Sequence, residues 1–435
     1  MEEFFVKIWK KMVLSTIVLF SLGGLAACGN GEDEKKASDT TISMFLSKVE
    51  YKKEMEAFVK KFEEKNPDIA IDLTFVGGGE DSESSLKAKF SSGEAPTIFM
   101  AAGLEQFVNY KQYAADVSDT ESIKNAIPST IESMKLDDGG VGAVPMSMEV
   151  YSYLYNKKIF KDAGIDADTI KTQNDLTEAV KKIDKQKDKL GLDAVFAFPA
   201  KETWSTGMHG GGVFVAPEFD YDPTIAVSAP KFNFDYSDQL KYYVDIQNDY
   251  GVQPAVSMDY STQIDDKFIG EKVAVVMQGS WVVPTLVEAD EEWAQENIGI
   301  LPIPVDGTPE RYLDGGCLNY YIVNKEASKK EIKAAKKFLD YMNCSEDGKK
   351  NTVENFMFIP AYQGYEDYAS DVNLIKEYTK YVNEDTYRQS VFNATNVDWL
   401  KNSIGTGIQE YITDDASWDE VVSDVKGAWK PAEEK

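Results

Sequence analysis

The chain has 435 residues, of which 43% are hydrophobic and 12% aromatic, and its formal net charge is −28. This length predicts two or three domains with real cores, and the charge disfavours nucleic acid and anionic lipid headgroups, which bind basic patches. The single histidine, His209, excludes a multi-histidine metal centre and leaves an all-oxygen cation site open. We expect no cofactor. Two cysteines after the N-terminal region, Cys317 and Cys344, allow one disulfide or two buried thiols.

The first 27 residues have the layout of a secretory signal peptide. Lysines in the first eleven residues precede an apolar run that is short, broken by glycine and closed by small residues. The ending LAACG resembles a bacterial lipobox, which implies cleavage before Cys28 and a lipid on that cysteine. Residues 28–40 are polar and predict a flexible tether. We therefore expect a cell-membrane protein on the extracytoplasmic face, in contact with the membrane through this lipid only.

Strands and helices alternate in the next segment. β-formers at 41–47, 69–76 and 95–102 predict strands, and apolar residues at helical spacing predict helices between them. This order indicates an α/β fold with a parallel-rich sheet flanked by helices, in which ligands bind beyond the carboxyl ends of the strands. Lys48 and Glu50 after the first strand and Gly103 after the third are therefore candidate binding residues.

An alternating segment at 144–156, VPMSMEVYSYLYN, predicts the strand that organises the chain. Alternation places Glu149, Tyr151, Tyr153 and Tyr155 on one face. Tyrosine joins an apolar ring to a polar tip, which suits a wet concave surface that holds a polar ligand. The alternative is a half-buried strand with tyrosines at the rim of a core.

Two tryptophans follow predicted strands, DAVFAFPA at 193–200 and KVAVVM at 272–277, and have glycine neighbours. Trp204 precedes Gly210 in the loop KETWSTGMHGGGVF, where glycines allow close approach of the backbone to a ligand. The HGGG in this loop also occurs in lipase oxyanion loops, but the chain has no G-x-S-x-G nucleophile elbow. Trp281 follows KVAVVMQGS at the end of another strand. An indole at either position suits stacking on a sugar, and the alternative is core packing.

An ordered set of segments resembles one family. The segments are LKAKFSSGEAPTIF at 86–99, VPMSMEVYSYLYNKKIFKDAGID at 144–166, KFIGEKVAVVMQGSW at 267–281, and IGILPIP with a following GG within 298–316. Together they resemble the extracytoplasmic solute-binding lipoproteins of ABC importers, in the family that includes maltose- and oligosaccharide-binding proteins. The resemblance implies a two-lobed periplasmic-binding-protein fold of the type II-like class, with a ligand cleft between the lobes. The implied lobes are 41–147 with 301–343, and 148–300 with 344–435.

The resemblance also implies a function. The protein is expected to be a monomer, not an enzyme, that captures an extracellular carbohydrate by hinge closure and delivers it to ABC permease subunits. The resemblance further implies that Trp281 lies at the cleft mouth. The expected ligand-binding set is Lys48, Glu50, Gly103, Glu149, Tyr153, Trp204, Gly210, Trp281 and Gly315. The same fold binding a polyamine or other cationic solute, and a secreted glycoside hydrolase, are the alternatives.

Overall fold

The computed structural model describes residues 38–49, 51–76, 82–308, 312–384 and 386–431. Within these ranges the strands are β1 (Thr40–Leu46), β2 (Ile69–Phe75), β3 (Ile98–Ala102), β4 (Val144–Asn156), β5 (Val275–Gly279), β6 (Ile298–Leu301), β7 (Leu313–Val323) and β8 (Tyr387–Gln389).

The helices up to the middle of the chain are α1 (Lys52–Lys65), α2 (Ser82–Ser92), α3 (Gly103–Tyr110), α4 (Glu121–Asn125), α5 (Lys157–Ala163), α6 (Gln173–Asp184), α7 (Lys187–Leu190), α8 (Gly211–Val215) and α9 (Pro223–Ser228). They are followed by α10 (Ser237–Asp249), α11 (Val283–Ala289), α12 (Glu291–Asn297), α13 (Lys329–Cys344), α14 (Glu346–Glu354), α15 (Asn373–Asn383), α16 (Val397–Trp399), α17 (Thr406–Ile412) and α18 (Trp418–Gly427). Segments Trp204–Gly210, Thr262–Ile269 and Leu400–Gly405 are π-helical.

The strands form one sheet in the order β2-β1-β3-β7-β4-β5, with β6 beside β4 and β8 beside β7. The β2-β1-β3 part is parallel, as the alternation of strands and helices predicts, and β7 joins it antiparallel to β3. β4 is antiparallel to β5, β6 and β7. The parallel part of the sheet directs the carboxyl ends of β1 and β3 toward one edge, which is where Lys48 and Gly103 follow them.

The long strand β4 connects two parts of the molecule. Its first half, from Val144 to Tyr151, pairs with β7, and its second half pairs with β5 and β6. All of its residues are buried except Tyr155, which is partly exposed. The strand that the tyrosine pattern predicted is therefore a central strand covered on both faces.

Helix ends follow their sequence signals. The side chain of Thr172 accepts a hydrogen bond from the backbone N–H of Asp175 and closes a capping box at the start of α6. Gly164 ends α5 with φ of 69°, in the left-handed region that favours glycine. The α1 stripe of Met55, Phe58 and Phe62 is buried, which confirms the predicted amphipathic helix.

One predicted strand does not form. Residues 193–200 form no strand; Phe196 makes isolated bridges to Gly251 and Val275 instead. Residues 346–365, which the implied boundaries place in the second lobe, also contact segments that these boundaries place in the first lobe. Asp347 pairs with Lys61 of α1 at 2.7 Å, and the backbone N–H of Ile127 donates to the carbonyl of Ala361 at 2.9 Å. We propose that the chain crosses to the second lobe after residue 365.

None of the described helices is both long enough and apolar enough to cross a membrane.

Candidate ligand-binding cleft

The structure contains a cavity of about 610 Å³. The carboxyl end of β1 and the start of α1 form one side of it, and residues 280–288 form the other. Its floor is β4 at residues 147–149, and residues 355–359 close a further side. This volume falls within the range of roughly 300–1,000 Å³ that is typical of small-molecule sites. Both parts of the molecule that β4 connects therefore contribute to one cavity.

Trp281 forms the wall that residues 280–288 contribute. Its indole Nε1 donates to Gln278 Oε1 at 2.8 Å, and Gln278 Nε2 donates to Gln263 Oε1 at 2.7 Å. Gln263 in turn donates to the carbonyl of Ala197 at 2.9 Å. A Cβ at Gly279 would lie 2.2 Å from the indole ring, so only glycine leaves room for this ring position. The orientation of Trp281 is thus fixed by a buried hydrogen-bond relay and by the absence of a side chain at Gly279.

The floor carries a polar cluster. Glu149 is almost fully buried and pairs with Lys48 through Oε1, while its Oε2 accepts from Asn319 Nδ2 at 3.1 Å. The buried hydroxyl of Ser147, next to this cluster, has no hydrogen-bond partner within the described part of the chain. A buried polar atom without a partner costs about 1–3 kcal/mol, so Ser147 can gain a hydrogen bond from a polar ligand or water.

Aromatic rings form the opposite wall. Tyr51 contacts Phe356 and Phe358 edge to face, with ring centroids 5.4 and 5.3 Å apart. Between these phenylalanines Met357 adopts φ of 53°, a left-handed conformation that costs a non-glycine residue about 1–2 kcal/mol. The backbone N–H of Met148 donates to the carbonyl of Ile359 at 2.9 Å and ties this segment to β4. The cavity therefore has apolar walls on two sides of a polar floor.

His209 lies behind Trp281, with the two ring centroids 4.6 Å apart. Tyr151 and Phe392 also contact the imidazole, and the imidazole Nδ1 lies 3.1 Å from the carbonyl of Trp204. Burial lowers the pKa of His209 to about 4, and the nearby charge of Lys48 acts in the same direction. The ring is neutral at physiological pH, and it joins Trp204 to the wall that Trp281 forms.

Comparison with known proteins decides the family. Residues 47–348 match the model of the family described as bacterial extracellular solute-binding protein. The chain belongs to that family. This solute-binding protein is 23% identical over 354 residues to the multiple sugar-binding protein of Streptococcus mutans. The match covers 78% of this chain and 80% of the relative.

Two further relatives bear on extent and fold. An uncharacterized ABC transporter extracellular-binding protein of Pyrococcus horikoshii is 34% identical over 139 residues, so the match spans 30% of this solute-binding protein and only 32% of that protein. A solved chitin oligosaccharide binding protein is 21% identical and superposes with a TM-score of 0.72 over 90% of this chain and 99% of its own. This likeness shows the fold, a mixed α/β two-lobed periplasmic-binding-protein architecture.

The structure brings together part of the predicted binding set. Lys48, Glu149 and Trp281 line the cavity of this solute-binding protein. Trp204 does not line it; its Nε1 donates to Glu202 Oε2 at 2.9 Å and its ring supports His209. Gly103 and Gly315 line a separate crevice of only about 20 Å³. These three remain predicted ligand contacts without a place in the cavity.

Two predicted residues lie in the core instead. Tyr153 is only 1% exposed and packs against Tyr243 and Phe196, with centroids 6.1 and 5.8 Å away. A Cβ at Gly210 would lie 2.8 Å from the hydroxyl of Tyr243, so this glycine serves close packing. Tyr153 is covered because both faces of β4 are buried, and Gly210 is buried at the end of the π-helical segment Trp204–Gly210. Both remain predicted ligand contacts, and neither lines the cavity. Glu50 and Cys28 lie outside the described residues.

Sequence reasoning missed Tyr51, Ser147, Asn319 and His209 as residues of the cleft or its support. Tyr51 begins the helical spacing of apolar residues that continues through α1 at Met55 and Phe58, and such spacing does not separate a residue that faces the core from one that also borders a cavity. Asn319 left a signal, since an amide in the apolar strand CLNYYIV needs a polar partner. That partner is Glu149.

Proposed function

We propose that the protein captures a neutral extracellular carbohydrate, of oligosaccharide size, and presents it to the permease of an ABC importer. The observation that carries this proposal is the arrangement of the cleft, in which Trp281 and the rings of Tyr51, Phe356 and Phe358 flank the polar floor of Glu149 and Lys48. Sugar rings present C–H faces that pack on aromatic rings, and their hydroxyls both donate and accept hydrogen bonds. The sugar-binding relative in Streptococcus mutans supports this ligand class.

The bonds that Glu149 already makes favour a neutral sugar over a polyamine as the ligand. A cationic solute needs carboxylates without partners, whereas the buried carboxylate of the cleft already pairs with Lys48 and Asn319. Lys52 and Lys53 border the cavity together with Glu54, Glu56 and Glu288, so the rim carries both signs of charge. The preference for a neutral ligand therefore rests on the partners of Glu149. A sugar hydroxyl can instead accept from Lys48 and donate to Glu149 without displacing either.

The test is a calorimetric titration of the chain from residue 29 onward with maltose, cellobiose, raffinose, stachyose and chitin oligosaccharides, beside spermidine. Saturable binding of at least one saccharide, with none of spermidine, is the expected result. Micromolar affinity would correspond to about −8 kcal/mol. Tighter binding of spermidine than of every saccharide would replace the proposed ligand, and release of reducing sugar during the titration would indicate the hydrolase alternative.

We infer further that Cys28 carries a lipid that holds the protein at the extracytoplasmic face of the cell membrane. The LAACG motif and the polar tether that follows support this. Cys28→Ser should shift the protein from the membrane fraction to the soluble fraction of the producing cell. Cys344→Ser, which changes a thiol in the folded part, is the matched control and should fractionate as wild type does. Membrane retention of Cys28→Ser would contradict the anchor.

A further inference from the structure

A second cavity, of about 430 Å³, shares Phe358 and Ile359 with the cleft and no other lining residue. We call it the tyrosine groove. It is lined by Ile127, Val353, 358–360, Tyr362, Tyr365, Glu366, 368–370, Ile375, Lys376, Thr379, Lys380, Asn383 and Glu384. The segment 358–360 therefore separates two cavities.

One wall of the tyrosine groove is a row of three rings. Tyr362 and Tyr365 are nearly parallel with centroids 6.4 Å apart, and Tyr368 follows 6.0 Å from Tyr365. The hydroxyl of Tyr362 donates to the carbonyl of Pro145, and that of Tyr365 donates to the carbonyl of Asn343 at 2.9 Å. Because these bonds fix the buried ends of the rings, the wall is preorganised and costs little entropy on binding.

The opposite wall is one face of α15. Its groove-lining residues recur every fourth position, as Ile375 and Thr379 and as Lys376 and Lys380 do, which places them in rows on one helix face. Thr379 offers a hydroxyl and Asn383 a carboxamide. The two lysines are balanced by Glu366 and Glu384, so the formal charge of the lining is zero.

We propose that the tyrosine groove is a second site for a neutral saccharide, separate from the cleft. The proposal rests on the carbohydrate assignment for the cleft, since it gives the same class of ligand to both cavities. Tyr362 and Tyr365 are almost fully buried, and Lys349 Nζ lies over the rings of Tyr365 and Tyr368. The partly exposed Tyr368 is therefore the ring that a sugar can contact, and α15 supplies the donors and acceptors for its hydroxyls. The balanced charge disfavours both a polycation and a polyanion, and the polar helix face disfavours a purely apolar ligand.

Methyl NMR of the chain from residue 29 onward tests this site directly. Ile127 and Ile375 line the tyrosine groove only, while Met148 and Met357 line the cleft only. With isoleucine and methionine methyls labelled, titration with raffinose or stachyose should shift both pairs along two different saturation curves. The methyl of Ile183, which is buried in α6, is the control and should not move.

Two variants separate the sites. Tyr368→Ala should lower the affinity measured at the Ile375 methyl about tenfold, equivalent to about 1.4 kcal/mol. The affinity measured at the Met357 methyl should stay unchanged. Trp281→Ala should do the reverse. If Tyr368→Ala proves poorly folded, Thr379→Arg, at a partly exposed position on the groove face of α15, obstructs the groove instead and should have the same effect.

The outcomes are distinguishable from failure of the cleft assignment. Shifts at Met357 without shifts at Ile127 and Ile375 would overturn the groove and leave the proposed function intact. Shifts at Ile375 with spermidine but not with the saccharides would overturn the neutral ligand class. Absence of any shift with every saccharide of the panel would refute the proposed function and the groove together.

Discussion

Trp281 is the residue whose position depends most on its neighbours. Gln278 and Gln263 are almost fully buried, and their amides are used in the relay that ends on the indole Nε1. Gly279 adds a steric requirement, because any side chain there would occupy the place of the ring. Polar contacts at the edge of the ring thus hold it in place, while one face of the ring stays available to the cleft.

Trp281→Ala should weaken saccharide binding by about 1.5–3 kcal/mol, the scale of burying a large side chain, which is roughly ten- to hundred-fold. Its unfolding free energy should change less than the about 3–5 kcal/mol lost by truncating a core tryptophan. Calorimetric titration beside urea unfolding measures both quantities. Gly279→Ala, which displaces the ring without removing it, should also weaken binding.

Trp204→Ala is the matched control, because this ring supports His209 without lining the cavity. We expect a smaller loss of affinity than for Trp281→Ala. Unchanged affinity of Trp281→Ala with a large loss of stability would assign Trp281 to the core and remove it from the site.

His209 makes the stability depend on pH. The unfolded chain binds a proton at this residue below the ordinary pKa of 6.5, whereas the folded chain does so only below about 4. The unfolded state therefore binds more protons in this window, and the free energy of unfolding falls as pH is lowered through it. Over the whole window the contribution of His209 should be on the order of 3 kcal/mol.

Urea unfolding of wild type and His209→Gln at pH 7 and pH 4.5 checks this. Because the carboxylates titrate alike in both proteins, the difference between the two isolates the imidazole. The variant should lose less stability on acidification than wild type. Equal losses would show that the imidazole is protonated as readily in the folded protein as in the unfolded chain.

At the scale of elements, a buried ion pair joins β7 to β8. Arg388 Nη2 donates to Asp314 Oδ2 at 3.1 Å, and Nη1 donates to Thr308 Oγ1 at 2.8 Å. The guanidinium also lies over the ring of Tyr221, 5.5 Å from its centroid. Burial raises the pKa of Asp314 to about 6 although Arg388 opposes the shift. The pair therefore fixes the short strand β8. Phe392, whose ring contacts His209, follows this strand in the chain.

Arg388→Met should cost about 3–5 kcal/mol at pH 8, because it leaves the Asp314 carboxylate buried and alone. Without the guanidinium the pKa of Asp314 should rise further, so the folded state would bind more protons than the unfolded chain and lose stability as pH rises. The loss should consequently be smaller at pH 5 than at pH 8. Urea unfolding at both pH values measures it.

Lys350→Met is the control for this variant, since its pair with Glu354 is solvent-exposed and 3.9 Å long. It should change stability by less than about 1 kcal/mol. A loss for Arg388→Met that is the same at both pH values would show that Asp314 is not the group left uncompensated.

Local signals predicted the elements better than the site. The parallel β2-β1-β3 unit and the helix α1 between its strands follow from short-range patterns, and both are present. Tyr153 shows the limit, because alternation assigns a side chain to a face of the strand but does not say what covers that face. In β4 the covering rings come from distant segments, such as Tyr243 and Phe196. The sequence pattern therefore could not predict that the tyrosine stripe of β4 is buried.

At the scale of the whole molecule, β4 connects the two sides of the cleft, since its first half pairs with β7 and its second half pairs with β5 and β6. Lys48 and the ring of Tyr51 border the cleft on one side, and Trp281 borders it on the other. A ligand that contacts both walls gains most when they come together, so binding favours closure around this connection.

Small-angle scattering of the chain from residue 29 onward should therefore show a smaller radius of gyration with saturating saccharide than without it. The decrease should follow the same saturation curve as the calorimetric titration, because closure and binding are one equilibrium. Trp281→Ala at the same saccharide concentration is the control, since weaker binding leaves more of the protein open. An unchanged radius of gyration at calorimetric saturation would mean that the ligand binds without lobe closure.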